Sequence, residues 1–243
     1  MAYLDYISDS DLTKEVKYIL DKSIAKNKSA IQNFNKNVID PFGALFEAPQ
    51  FGSHDDWKTS EVARQIQKTL QNHIGVFHQK ILGSVDGWED LGTGGVVDLV
   101  CEDKKIIAEV KNKFSTVTGG KLADQYHSLS GLISPKHSRF KGYTAYFVNI
   151  IPKKPIRSDM PFTPSDKETG MKCPVNQDIR VVDGATFYEL VTGKHNALEL
   201  LHSVLPRVIE SLYTDVYENI NFSFDDEADF LAYFDLAYKE IQE

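Results

Sequence analysis

The chain has 243 residues, 42% hydrophobic and 26% charged, a composition typical of a globular protein with a substantial core. No apolar run approaches the length of a membrane span, and the start MAYLDYISDSDL lacks the features of a signal peptide, so the sequence predicts a cytoplasmic protein. Its two cysteines, Cys101 and Cys173, form no CxxC pair, which argues against a disulfide framework or a zinc site.

Charge is distributed unevenly along the chain. Residues 211–243 contain nine acids and one base, so this segment accounts for the whole net charge of −8. Residues 104–157 contain eleven Lys or Arg and two acids, a net charge of +9. A basic segment of this kind can contact phosphates, and a solvated lysine-rich face is the alternative.

The first third of the chain is predicted to be helical. Helical periodicity covers residues 12–37, and DPFG at 40–43 predicts a turn. A second helix is predicted over residues 60–83, with Ser60 as its N-cap and Gly83 at its end. One face of this helix is expected in the core, and its apolar positions are Val62, Ile66, Leu70, Ile74, Phe77 and Ile81.

The middle of the chain combines strands and a helix. Two β-rich runs, 96–101 and 105–111, are joined by a short EDK turn and predict a β-hairpin. A helix is predicted at 122–133, then a strand at 141–152, and then a charged, proline-rich loop over about 153–177.

The last part of the chain is predicted to contain a strand at 179–184, helices at 185–193 and 196–213, and an acidic helix within about 214–243. That acidic segment is expected to pack at an interface or against the basic segment, or to be solvated. No internal repeat or linker marks a boundary. We therefore predict one α/β domain over residues 1–243.

The hairpin places three ionisable side chains in segments that otherwise read as buried. Side chains alternate across a strand, so Glu109 and Lys111 share a face while Val110 points to the other. The short turn brings Asp98 beside Glu109. Two carboxylates at such a point repel each other and lose hydration unless a cation compensates. Lys111 supplies one positive charge, and a Mg²⁺ ion would supply the rest.

This arrangement suits the hydrolysis of phosphodiesters. Asp98, Glu109 and the backbone carbonyl of Val110 are candidate ligands of Mg²⁺, a cation that prefers oxygen. The ion would polarise the phosphate and lower the pKa of a bound water, while Lys111 orients or deprotonates that water. An exposed hairpin with an ordinary Glu/Lys pair is the alternative reading of these residues.

The hairpin sequence resembles the PD-(D/E)xK nuclease motif. It has Asp98, ten intervening residues and then Glu109-Val110-Lys111, with Val97 in place of proline. The stretch EVKNKFSTVTGG resembles the E-x-K-N-(K/R)-x-N-T block of certain type II restriction endonucleases, with Ser115 where asparagine is usual. Three further stretches are similar to restriction enzymes that recognise GGNCC, namely the sequence of the helix predicted at 60–83, GATFYELVTG and LPRVIESL.

The resemblance implies a restriction-endonuclease-like core with a mixed central β-sheet flanked by helices. It implies Mg²⁺-dependent cleavage of double-stranded DNA at a short palindrome, GGNCC, in a bacterial cytoplasm, and a methyltransferase that protects the same site in the host. A palindrome calls for two sites related by a two-fold axis, and hence for a homodimer. A repair or structure-specific nuclease and a non-catalytic DNA-binding module are the alternatives.

The resemblance also suggests further site residues. Glu61 matches a helix glutamate that often completes the metal site, although a glutamate in a first helical turn also stabilises the helix dipole. Arg and Lys of the loop 153–172 are candidates for reading guanine. Candidates for contacts with DNA, for which ordinary turn and helix-start roles are the alternative, are Asn112, Lys113, Ser115, Thr116 and Gln125.

Overall fold

A computed structural model describes residues 2–32, 34–36, 39–92, 94–117, 119–219, 222–224 and 226–238. Within these ranges the strands form one mixed sheet in the order β1-β2-β3-β4-β6-β5. The two neighbour pairs formed by β3, β4 and β6 are parallel, and the remaining pairs are antiparallel. The strands are β1 (Glu89–Asp90), β2 (Leu99–Cys101), β3 (Ile106–Lys113), β4 (Thr144–Ile151), β5 (Asp159–Pro161) and β6 (Ile179–Asp183).

Helices flank this sheet, which confirms the predicted α/β class with a mixed central sheet. The α-helices of the described ranges are α1 (Asp9–Gln32), α2 (Pro41–Glu47), α3 (His54–Gly83), α4 (Lys121–Ile133), α5 (Gly184–Thr192), α6 (Ala197–Asp215) and α7 (Glu227–Tyr238). None of these helices is both long enough and apolar enough to cross a membrane.

Two hydrophobic cores lie on opposite faces of the sheet. Val110 of β3 and Val148 of β4 belong to the core that includes residues of α1, α3, α5 and α6. Ile107 and Phe147, one position out of phase on the same strands, belong to the core formed with α4. The alternation of side chains along a strand explains this division. Strands β3 and β4 are therefore covered on both faces, as is typical of central parallel strands.

Helix α3 is longer than the sequence predicts. It begins at His54 rather than Ser60, and the Ser53 side chain caps it by accepting a hydrogen bond from the Asp56 amide at 3.1 Å. Acidic residues in this first turn also suit the positive end of the helix dipole. The predicted end at Gly83 is confirmed.

The apolar stripe of α3 is only partly in the core. Phe77 and Ile81, in the C-terminal half, are buried, whereas Val62, Ile66 and Leu70 are half-buried. The sequence prediction of one core face over the whole helix is therefore correct only for the half that reaches the sheet.

The turn predicted at 40–43 is the start of helix α2. Asp40 accepts hydrogen bonds from the amides of Phe42 and Gly43 at 3.0 and 3.1 Å, and Pro41 occupies the first helical position. A capping Asp followed by Pro is a helix-start signal as well as a turn signal. The end of the helix predicted over 12–37 is also displaced, because α1 ends at Gln32, and Asn33 and Asn37 lie outside the described residues.

The acidic C-terminal segment contains helix α7, and residues 239–243 of the predicted segment lie outside the described ranges. The Tyr238 hydroxyl donates a hydrogen bond to the Ile150 carbonyl, and the Phe234 ring lies 5.2 Å from the ring of His202 on α6. One side of α7 thus packs on its own chain.

Candidate active site

The predicted β-hairpin is present, and its two strands differ in length. β2 pairs in antiparallel register with β3 only from Leu99 opposite Ala108 to Cys101 opposite Ile106. β4 runs along the other edge of β3 as far as Lys113. In the described part of the chain no strand pairs with the outer edge of residues 109–113 of β3. The short partner therefore leaves one edge of β3 open.

Asp98 stands at the beginning of this open edge. Its amide donates a hydrogen bond of 2.8 Å to the Ala108 carbonyl, which keeps its main chain in the hairpin. Its carboxylate oxygen Oδ2 accepts a hydrogen bond of 2.7 Å from the amide of Val110. In a strand, the N–H and C=O of one residue point to the same edge. The Val110 carbonyl therefore faces the open edge beside the Asp98 carboxylate.

Glu109 and Lys111 lie on one face of β3, as the alternation predicts, and their side chains form an ion pair. Burial, reinforced by the negative charge of Asp98, raises the pKa of Glu109 to about 7. Burial also raises the pKa of Asp98, against the stabilising hydrogen bond from Val110. The Asp98 carboxylate is thus close enough to oppose the ionisation of Glu109, with the Lys111 ammonium beside them.

One cleft of 520 Å³ contains these groups. Its β3 side brings together most of the residues predicted from the sequence, namely Asp98, Glu109, Val110, Lys111, Asn112, Lys113, Ser115 and Thr116. Its other walls are residues of α3 and of the loop before β2, namely Gln71, Asn72, Gly75, Val76, Gln79, Gly94 and Gly95. We call this space the cleft. It contains both polar and apolar surface in a single concave site.

Two of the predicted site residues lie elsewhere. Glu61 pairs with Arg64 at 3.0 Å and accepts a hydrogen bond from Gln65 at 3.0 Å. It precedes Gln71 on α3 by about 15 Å of helix rise and does not line the cleft. Gln125 lies on α4 and is likewise not among the lining residues.

In the loop predicted to read guanine, Arg157 is engaged within the chain. It forms an ion pair with Glu189 and donates a hydrogen bond of 3.0 Å to the Ala185 carbonyl. Both partners belong to α5, so this side chain holds the loop against the body of the protein.

The α3 wall was missed by the sequence reading. Gln71, Asn72, Gly75 and Gln79 recur at helical spacing on a face different from the apolar stripe. That polar and small-residue periodicity is the signal that could have found them. Gln79 is buried and donates to Asp90, which also forms an ion pair with Lys80, so this network fixes the end of α3 against β1.

Asn112 contributes a buried polar atom to the cleft. The residue is 8% exposed, and its Oδ1 has no hydrogen-bond partner within the part of the chain that the structure describes. Buried polar atoms are nearly always satisfied in folded proteins, so such an atom on a cleft wall suits a ligand that supplies a donor.

The donor set of the cleft fits a hard divalent cation. The described residues contain no cluster of three or more His, Cys, Asp or Glu side chains, so an all-side-chain metal cage is absent from them. The cleft instead offers the carboxylates of Asp98 and Glu109 and the carbonyl of Val110, all oxygen donors. Mg²⁺ is commonly bound by one or two carboxylates together with water and phosphate oxygens. Burial opposes the ionisation of both carboxyl groups, which also favours a compensating cation.

The mixed sheet flanked by helices is consistent with the restriction-endonuclease-like class of folds. The family model of the Eco47II restriction endonuclease matches residues 4–214. The chain is 60% identical to the type II restriction enzyme Eco47II of Escherichia coli over 238 residues, which cover 98% of this chain and 100% of the relative.

A second relative is more distant. The type II restriction enzyme Sau96I of Staphylococcus aureus is 29% identical over 213 residues, which cover 86% of this chain and 80% of the relative. No solved structure gives a significant match. The chain belongs to the Eco47II restriction endonuclease family and is a type II site-specific deoxyribonuclease.

Proposed function

We propose that this enzyme hydrolyses phosphodiester bonds of double-stranded DNA at a short palindromic site in a Mg²⁺-dependent reaction of the PD-(D/E)xK type. The observation that carries the proposal is the convergence of Asp98, Glu109 and Lys111 at the open edge of β3 in one cleft. The site GGNCC is proposed from the resemblance of the sequence to enzymes with that specificity.

Asp98, Glu109 and the Val110 carbonyl are proposed to hold the metal ion. When bound, Mg²⁺ supplies Lewis-acid polarisation of the scissile phosphate and a lowered pKa of a coordinated water. The hydrogen bond from the Val110 amide orients the Asp98 carboxylate and fixes one of its oxygens, which leaves the other oxygen for the cation.

Lys111 is proposed to act on the phosphate and on the attacking water. Its ammonium is paired with Glu109 and therefore lies at the carboxylate pair. A fixed cation in this position stabilises negative charge that develops on the phosphate oxygens during the displacement. It also orients the attacking water by a hydrogen bond.

The cleft walls are proposed to bind DNA. Asn112 offers an unpartnered amide oxygen, and Lys113, Ser115 and Thr116 follow it along the same side of the cleft. Gln71 and Asn72 face them from α3. The ammonium, hydroxyl and amide N–H groups of these side chains donate to phosphates and base edges, and an amide oxygen accepts from amino groups of bases. Glu61 and Gln125 are left out of the proposed site, since neither of them lines the cleft.

Two copies of the chain are proposed to act on one palindrome, since each strand needs its own cleft and the two-fold symmetry of the DNA is matched by a symmetric homodimer. The enzyme is proposed to act in the bacterial cytoplasm, where DNA is found, beside a methyltransferase that modifies the same site in the host.

A plasmid digest tests this function. The wild-type enzyme with Mg²⁺ is expected to give discrete fragments, and sequencing of their ends identifies the site. Lys111→Ala is expected to lower the cleavage rate by at least about 10²–10³-fold, the range for loss of one group that stabilises developing charge. Lys113→Ala, two residues along the same strand, is the matched control and should mainly weaken DNA binding.

Each contrary result has a specific meaning. A smear of fragments would favour a repair or structure-specific nuclease, and an absence of cleavage by the wild type would favour a non-catalytic DNA-binding module. Unchanged activity of Lys111→Ala would remove the proposed mechanism.

A further inference from the structure

Helix α2 presents an apolar surface to solvent. Phe42, Leu45 and Phe46 are 73%, 74% and 83% exposed, and no residue of this helix is buried. We call these three side chains the α2 patch. Grouped exposure of large apolar side chains on a folded protein marks a surface that another molecule covers.

The helix does not need these side chains to hold its place. Asp40 caps its first turn, and Glu47 at its end accepts hydrogen bonds from Arg64 at 2.9 Å and from the Trp57 indole at 3.1 Å. These polar contacts attach α2 to α3 and leave its apolar face uncovered. At seven residues, α2 is also shorter than the roughly 12–15 residues at which helices become even marginally stable alone in water. Coverage of the apolar face would therefore stabilise it.

The charges around the α2 patch suit a contact between two identical surfaces. In a two-fold contact, each residue near the axis meets its own copy, so an unpaired charge there would repel itself. Two carboxylates lie at the α2 patch. Glu47 pairs with the Arg64 guanidinium inside the same chain, and the capping Asp40 accepts hydrogen bonds from two amides at the positive end of α2. Because both carboxylates are engaged within their own chain, two α2 patches can approach with little of that repulsion.

Helix α7 also exposes apolar side chains, but its charges oppose such a contact. Phe230, Tyr233 and Leu236 are exposed, and the helix sequence EADFLAYFDLAY contains three acids and no base. A two-fold contact through α7 would bring six carboxylates together. Between the two exposed apolar helices, α2 is therefore the one suited to self-association.

The size of the α2 patch agrees with a weak but specific dimer. The largely exposed rings of Phe42 and Phe46, together with Leu45, present on the order of 400 Å² of apolar surface per copy. With the surface around them, two such patches remove roughly 1,000 Å² from water, which is the lower limit of a specific interface.

We propose that the α2 patch packs against the α2 patch of a second copy of this chain about a two-fold axis, and that this contact holds the dimer. The requirement for two copies rests on the proposed function at a palindromic site. The contact itself lies away from the chemistry. Residue 54, where α3 begins next to α2, is separated from the first cleft residue of that helix, Gln71, by about 25 Å of helix rise.

Sedimentation analysis without DNA or Mg²⁺ tests the proposal. The wild-type protein is expected at twice the chain mass of 27.4 kDa, and Phe46→Glu at the mass of one chain. Leu236→Glu, a change of the same kind at a 76% exposed position of α7, is the matched control and should remain dimeric. A monomeric wild type, or a Phe46→Glu variant that dimerises as the wild type does, would overturn the proposal.

A cross-linking experiment covers the case in which Phe46→Glu misfolds. Cys101 and Cys173 are buried, so a new cysteine at the α2 patch is the accessible thiol for an intermolecular disulfide. Mild oxidation of Leu45→Cys is expected to give a covalent dimer, whereas Leu236→Cys should stay uncrosslinked. The reverse pattern would assign the interface to α7 and overturn the proposal.

These measurements separate the interface from the proposed function. Lys111→Ala should lose cleavage and remain dimeric. If the wild type dimerises through the α2 patch and cuts no DNA, the proposed function fails while the interface stands.

Discussion

The amide of Val110 donates a 2.7 Å hydrogen bond to the Asp98 carboxylate, so a side chain occupies the place where the next residue of β2 would otherwise pair. Asp98 thus has a structural role in addition to its proposed role as a metal ligand. We expect Asp98→Asn and Asp98→Ala to abolish cleavage alike, because both remove the charge. Only Asp98→Ala leaves the Val110 amide without its acceptor.

The two variants should therefore differ in stability. We expect the free energy of unfolding of Asp98→Ala to be lower than that of Asp98→Asn by about 1–3 kcal/mol, the penalty for an unsatisfied donor that is shielded from water. Urea unfolding without Mg²⁺ measures this difference. Equal stability of the two variants would show that the hydrogen bond does not hold the hairpin.

Binding of Mg²⁺ should stabilise the folded protein in the absence of DNA. An ion at tenfold excess over its Kd raises the free energy of unfolding by about 1.4 kcal/mol, because the unfolded chain has no assembled site. We expect a rise in Tm with Mg²⁺ for the wild type and none for Asp98→Asn. Glu61→Gln is the matched control, since Glu61 pairs with Arg64 outside the cleft. Loss of the Mg²⁺ effect in Glu61→Gln would show that this glutamate contributes to metal binding.

Two glycines of α3 should respond to alanine in opposite directions. At Gly75 the nearest atom to an added Cβ is the Asn112 Cβ at 3.8 Å, an ordinary contact. Gly75→Ala should therefore stabilise the helix by roughly 0.5–1 kcal/mol. At Gly83 the added atom would lie 2.6 Å from the Asp90 Cβ, and Gly83→Ala should destabilise the protein by about 1–3 kcal/mol. Urea unfolding of both variants checks the signs.

A larger side chain at Gly75 tests the wall of the cleft. Gly75→Leu would project into the cleft beside Asn112, so we expect DNA cleavage to fall while the helix remains folded. Full activity of Gly75→Leu would show that DNA does not enter along this face of α3.

Acid should destabilise the protein partly through His78. Burial lowers the pKa of this residue to about 4, from an ordinary value of 6.5, and its Nδ1 lies 2.8 Å from the Tyr188 hydroxyl. Between these two values the unfolded chain binds a proton that the folded chain does not. The free energy of unfolding therefore falls as the pH is lowered below 6.5, by up to about 1.4 kcal/mol per pH unit from this residue.

The variant His78→Gln can still hydrogen-bond to Tyr188 and does not titrate. Its stability relative to the wild type should improve steadily from pH 7 to pH 4.5 in urea unfolding experiments. His202, whose pKa burial also lowers, is present in both proteins, so its contribution cancels in the comparison. A constant difference across this range would rule out His78 as a source of the acid sensitivity.

The hairpin and its charged residues could be predicted because their signals are local. Alternation fixes which side chains share a face of β3, and the short turn fixes which residue of the preceding segment lies beside Glu109. The position of Asp98 relative to Glu109 and Lys111 follows from these two facts, without knowledge of the rest of the fold.

The α3 wall depended on information that the sequence pattern did not supply. Periodicity identifies the faces of a helix, but not which of them lies over a strand end some forty residues later. Glu61 was assigned by resemblance, and the helix is long enough to place it about 15 Å from Gln71. The edge strands β1 and β5 are only two and three residues long and lack β-branched residues, so they gave no signal.

Helix α2 was missed for a different reason. Asp-Pro at its start serves turns and helix N-termini equally, and a helix of seven residues is too short for its periodicity to be distinguished from chance. The choice between turn and helix depends on the contacts of Glu47 with Trp57 and Arg64, which are tertiary.

Because β2 is short, the stability of the hairpin and the access of ligands to the cleft make opposite demands on this part of the chain. Extending β2 by two residues would satisfy the exposed main chain of β3 and strengthen the sheet, but it would cover the Val110 carbonyl and shut the cleft. This conflict arises from the main chain, so no choice of side chains removes it. A more stable hairpin of this kind would lose the open cleft. Engineering for heat resistance should begin elsewhere in the molecule.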